Sequence, residues 1–208
     1  MSLLIKPENE TEERILSDDK ILKGYEFGKV RSGHPEGNTG VHVTNILSFI
    51  DKQNWTNYRE KLRTITLIHD SFKYLQFVGG LNHAVYAAQY YAQLVSGEDI
   101  CKMNIAEFKY KSREPIPVIS NPEQEEVKKV LLHHDSGWRF YKRIQRNREF
   151  DENSFVRLFG NLDLEMMIRF NYADGCQRDN KSVIWFEDEL IRCGLRNHSE
   201  KINDHLVR

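Results

Sequence analysis

The chain has 208 residues, 39% hydrophobic and 29% charged, enough for one domain with a sizeable core and too few for two comfortable ones. Lys plus Arg number 30 against 31 Asp plus Glu, so global charge gives no reason to expect a polyanionic partner, although a local patch still can. Cys101, Cys176 and Cys193 are widely spaced and form no CxxC pair, which argues against a disulfide framework and suits a reducing compartment. Residues 1–10 lack the apolar centre of a signal peptide, and no apolar stretch reaches membrane length. The expectation is a cytoplasmic protein that does not enter a membrane.

In chain order, residues 1–25 read as a polar, charged lead-in with a short helix, and 26–208 as the folded domain. A turn-rich segment, Ser32 to Gly40, opens a helix that Asn38 or Thr39 can cap. That helix carries His42 beside an apolar stripe of Ile46, Leu47 and Ile50. Asn57 to Tyr74 reads as one helix, delivering His69 and Asp70 near its C-terminal end. The Gly79-Gly80 pair breaks the chain, and Asn82 caps a third helix through Leu94 that starts with His83.

Residues 97–110 read as helical and 114–122, with three prolines, as a loop. Helices are expected over 123–134 and 138–148, a short element over 154–160, and further helices over 162–174 and 181–193, with Gly175 as a C-terminal stop. Strand-like alternation is scarce. The fold class is therefore all-α, a single-domain helical bundle.

His42, His69-Asp70 and Asp174 each fall near a helix end or along a core-facing stripe. Burying either aspartate without a cation is costly, and imidazole with carboxylate can grip one divalent metal ion. The competing explanation is ordinary: core histidines are usually hydrogen-bonded, and aspartates cap helices or pair with Arg and Lys. His83, His133 and His134 form a second tier, for a second metal or a substrate phosphate, although His133 and His134 also suit the negative end of a helix dipole. Mixed nitrogen and oxygen donors admit Mn, Fe, Co, Ni, Zn or Mg.

After Trp138, the basic run Arg139, Lys142, Arg143, Arg146 and Arg148 is able to grip RNA or a polyphosphate, but a solvated helix face is the plainer reading. Tyr86, Tyr90 and Tyr91, at helical spacing, are read as core rather than as a stacking wall for a base, and Cys176 as a buried thiol.

The residues His34-Pro35-Glu36-Gly37, His42, His69-Asp70-Ser71-Phe72-Lys73, Asn82-His83, His133 or His134, and Ala173-Asp174 with Arg178 come in an order that resembles the HD-domain phosphohydrolase superfamily. The nearest resemblance is to the HD domain at the C-terminal end of bacterial tRNA nucleotidyltransferases, over about residues 30–180. Phe72 departs from it, standing where that family has glycine, and either crowds the rim of the site or fills a gap.

The resemblance implies one divalent metal, or two, held by His42, His69, Asp70 and Asp174. It also implies hydrolysis of a nucleotide or related small phosphoester, including a cyclic phosphodiester. Asp70 would double as proton acceptor. Lys73, one turn after His69, would meet a phosphate oxygen, as would Arg178, while His34 and Glu36 would frame the substrate. No nucleotidyltransferase head is expected, so end-addition to tRNA is not implied. Alarmone or deoxynucleotide hydrolysis is the alternative within the enzymes, and a nucleotide-sensing module without turnover is the alternative outside them. The sequence sets no oligomeric state.

Overall fold

A computed structural model describes residues 5–30, 37–177, 179–198 and 201–207, with the side chains of 77–79 excepted. The described residues are helical and contain no strand: α1 (Glu10–Leu16), α2 (Asp19–Tyr25), α3 (Thr39–Lys52), α4 (Thr56–Ile68), α5 (Lys73–Gly79), α6 (His83–Val95), α7 (Ile105–Lys111), α8 (Pro122–His133), α9 (Ser136–Gln145), α10 (Glu152–Phe159), α11 (Leu164–Asp174) and α12 (Lys181–Arg192). Short 3-10 turns lie at Ile100–Lys102 and Ile202–His205. No described helix is long and apolar enough to cross a membrane.

Side-chain caps set many of the helix starts. Asn38, Asn82, Asn121 and Asp163 accept backbone N–H groups at the heads of α3, α6, α8 and α11, satisfying donors that a helix start leaves open. Pro122 falls in the first turn of α8, where its missing N–H costs nothing. Packing supplies the rest. α4 lies against α3, α8 and α11, and α6 against α8, so the ends of these helices meet in one region.

Three expectations need correction. The segment to residue 25 is no separate lead-in: Ile15, Ile21 and Tyr25 belong to the common core, and buried Glu12 pairs with Arg63 of α4. The helix expected over 57–74 stops at Ile68 and restarts as α5. At that break the Leu67 carbonyl accepts hydrogen bonds from Ser71 Oγ and Tyr25 Oη, both at 2.9 Å. The helix expected over 97–110 is instead the 3-10 turn at Ile100 followed by α7, whose start Asn104 and Glu107 fix with a reciprocal capping box. Gly175 stops α11 as expected, at φ −81°, and its lack of a side chain matters because a Cβ there would lie 2.6 Å from Asn180 Oδ1.

Gly80, by contrast, does stop α5 in the left-handed region, at φ 75°. Gly24 brings α2 against the 69–72 turn so closely that a Cβ would sit 1.9 Å from the Ser71 carbonyl oxygen. Phe72 points away from the rim and fills the core, with its ring 5.0 Å from Phe108 and 5.3 Å from Tyr90. Tyr86 and Tyr90 share that aromatic cluster, and Tyr91 is buried.

Candidate metal centre

Every side chain of the site comes from a helix end. His42 lies in the first turn of α3, below the Asn38 cap. His69 caps the C-terminus of α4 and Asp70 follows in the turn. His83 begins α6, His134 caps the end of α8, and Asp174 ends α11. Backbone groups at helix ends lack partners within the helix, so polar side chains gather there at least expense to the apolar core.

The side chains form two adjoining groups that can hold metal ions: His42, His69 and Asp174, and Asp70, His83 and His134. In the first, Asp174 Oδ1 lies 2.8 Å from His42 Nε2 and 3.5 Å from His69 Nε2. Asp70 joins the two. Its Oδ2 is 3.4 Å from His69 Nε2 and 4.0 Å from His42 Nε2, while its Oδ1 is 3.3 Å from His83 Nε2 and 3.9 Å from His134 Nε2. The four residues expected around one ion thus come together, with Asp70 turned also toward a second position.

The histidines are oriented from behind. His69 Nδ1 lies 2.9 Å from the Thr66 carbonyl and His134 Nδ1 2.8 Å from that of Leu131. A carbonyl only accepts, so both Nδ1 atoms carry protons. Burial lowers the proton affinity of His134, with Asp135 opposing, so its Nε2 presents a lone pair. That lone pair points at His83 Nε2, 3.2 Å away, and at Asp70. His83 Nδ1 meets Gln76 Oε1 at 3.0 Å. The Nε2 of His69 is buried and makes no hydrogen bond among the described residues. Imidazoles fixed through Nδ1, with Nε2 aimed at carboxylates, are set up as metal ligands are.

The electrostatics carry the same demand for positive charge. Burial alone depresses the His69 pKa, but the charges of Asp70 and Asp174 reverse this and raise it to about 10. Burial works against the charge on Asp70, yet the Lys73 ammonium and His69 hold its carboxyl well below the usual range. His42 and His69 do the same for Asp174 against its burial. Lys73 forms an ion pair with Asp70 Oδ2; burial lowers its pKa, but Asp70 more than compensates, so it stays charged. Lys73 starts α5 and does not continue the helix of His69, so it reaches the centre across a turn.

Of the second tier, His83 and His134 join the site and His133 does not. His133 is half-buried, outside both groups, with its pKa lowered by burial and by Arg139. His34, Glu36 and Arg178 lie outside the described residues. Cys176 is half-buried rather than sealed in the core.

Sequence reasoning missed Asp135. Its Oδ2 is 3.4 Å from His83 Nε2 and its Oδ1 3.7 Å from His134 Nε2, with the side chain about one third exposed. The signal was there: His134-Asp135 repeats the His-Asp pair of His69-Asp70. Asp135 precedes α9 but makes no side-chain cap, so its carboxylate faces the histidines.

Fold and site together define an all-α protein with a buried His/Asp centre able to hold metal. Comparisons with protein-family models, with curated proteins and with solved structures give no match for this chain.

Proposed function

We propose that the chain is a metal-dependent phosphohydrolase of the HD type, acting on a nucleotide or a related small phosphoester. The observation that supports it best is the pair of imidazoles, His69 and His134, with Nδ1 protons tied to backbone carbonyls and Nε2 atoms turned toward Asp70. A cation between such groups removes the mutual repulsion of lone pair and carboxylate.

In this reading His42, His69 and Asp174 would hold one divalent ion, and Asp70, His83 and His134 a second. Divalent ions bound there supply charge neutralisation for phosphate oxygens and acidify water. Lys73, kept charged by Asp70, offers an ammonium to a phosphate oxygen. Asp70 is a poor proton acceptor, because both of its oxygens face cationic or ligand groups and its carboxyl is held far below the usual range. Asp135, on the solvent side beside His83 and His134, takes over the task of receiving the proton from the attacking water.

The test is metal content together with turnover of a panel of phosphoesters, including a cyclic phosphodiester, with Mn, Co, Ni and Mg. The wild type binds close to two ions and hydrolyses at least one ester, and Asp70→Ala loses both metal and turnover. Asp70→Ala with unchanged metal and rate overturns the proposal.

A further inference from the structure

α9 starts at the metal centre and carries a row of cations away from it. Its inner face packs into the protein: Phe140 meets Phe155 at 5.2 Å, Tyr141 meets Trp185 at 5.7 Å, and Gly137 sits where a Cβ would come within 2.9 Å of the Phe186 ring. The outer face holds Trp138, Arg139, Lys142, Arg143 and Arg146, all exposed. At 3.6 residues per turn these five fall within an arc of about 140°, with Asp135 at its head.

Two observations separate this row from an ordinary solvated face. The first is the pairing of its charges. On α8, Lys128 pairs with Glu125 and Lys129 with Glu126; on α12, Arg192 pairs with Glu189 and Glu152. Along this row Arg146, the C-cap of α9, forms no ion pair with an acidic side chain among the described residues, Arg143 meets Asp151 only through a longer-range charge interaction, and Lys142 lies over the half-exposed Trp138 ring, 5.6 Å from its centre. The second is location. Arg139 Nη2 lies 3.8 Å from Asp135 Oδ2, the oxygen that is 3.4 Å from His83 Nε2. The row therefore begins on the solvent side of the site and, at 1.5 Å per residue, runs about 10 Å from Arg139 to Arg146. That length matches successive phosphates of a nucleic-acid strand rather than one small ester. An exposed indole among cations is the arrangement that stacks a base while its backbone is neutralised.

We propose that the ester bound at the centre is the end of a single-stranded nucleic acid, whose neighbouring phosphates lie along Arg139, Arg143 and Arg146 and whose base stacks on Trp138. The inference rests on the hydrolase reading for the position of the reacting phosphate, but the strand's binding is measurable without turnover.

The experiment follows binding of a fluorescein-labelled decauridylate to the metal-loaded protein by anisotropy over a series of salt concentrations. The doubly substituted Arg143→Glu/Arg146→Glu chain binds about tenfold more weakly, and its salt slope shrinks by about 0.7 for each phosphate that is no longer neutralised. Trp138→Ala weakens binding by about fivefold or more with the salt slope kept. Metal content, measured on every variant, stays at the wild-type level and certifies the fold. Wild-type affinity in the charge-reversed chain overturns the inference, as does inorganic polyphosphate binding as tightly as the decauridylate with no effect of Trp138→Ala. Failure of the hydrolase reading looks different: no metal uptake by the wild type.

Discussion

Glu12 and Arg63, where α1 meets α4, and the His/Asp centre, where α3 and α6 begin and α4, α8 and α11 end, are both buried and both charged. They are built on opposite plans. Glu12 and Arg63 answer each other: Nε to Oε1 at 2.8 Å and Nη2 to Oε2 at 2.9 Å, with the Glu8 N–H also on Oε2. Nothing is left over for a ligand. At the centre, Asp70 faces His69 and His134, whose Nδ1 protons already go to carbonyls, so their Nε2 atoms can answer the carboxylate only with an added proton, which the raised pKa of His69 favours, or with another cation. The first arrangement is closed and holds a helix in place; the second is completed only by a cation from outside. Burial of charge alone does not mark a functional site, whereas burial with unsatisfied donors and acceptors does.

The largest effect separating the two comes from Glu12→Ala. It strands Arg63 in the core and costs about 3–5 kcal/mol of stability by urea denaturation, while metal binding per folded molecule is retained. Next comes metal itself. Free Mn or Co at about a hundred times its Kd stabilises the metal-free wild type by about 2.7 kcal/mol per site. Glu12→Ala keeps that increment and Asp70→Asn loses it. Equal increments in all three chains would erase the contrast.

A smaller effect joins the two regions. Gly24→Ala drives a Cβ into the Ser71 carbonyl, costs about 1–3 kcal/mol, and weakens metal binding because the 69–72 turn must shift; titration calorimetry reads the second part. The smallest concerns the pair of half-buried Glu125 and buried Lys128 as reference. Partial burial opposes the Glu125 charge, but Lys128 and the Ile119 N–H outweigh it and hold the carboxyl below its ordinary value. A depressed folded value stabilises above the unfolded one and is lost as pH falls through it. Glu125→Gln therefore lowers stability at neutral pH by under about 1 kcal/mol and flattens the acid side of the stability profile, measured by melting temperature against pH.

The bundle and most of the centre were legible in the sequence for a shared reason: helix-period apolar stripes with His or Asp at their starts or ends show where a helix begins or stops and what it presents there. His42, His69, Asp70, His83 and Asp174 were found in this way, and His134 as one of a pair. The break after Ile68 was not legible, because no Gly or Pro marks it; it is held by Tyr25 Oη, a partner 42 residues away in the chain. The part played by residues 10–25 was hidden for a like reason, since two isoleucines and a tyrosine in a charged segment show no long stripe. Asp135 was not singled out, because an aspartate just before a helix is most often an ordinary cap. The basic row of α9 was visible as a pattern, but that it starts at the metal centre is a fact of packing.

The most direct measurement is a crystal structure of the protein grown with Mn, with anomalous scattering recorded. The account predicts two peaks, one among His42, His69 and Asp174 and one between His83 and His134, with an oxygen of Asp70 on each. Density without anomalous signal at the centre, and with His69 and Asp70 bonded directly to each other under saturating Mn, would contradict it.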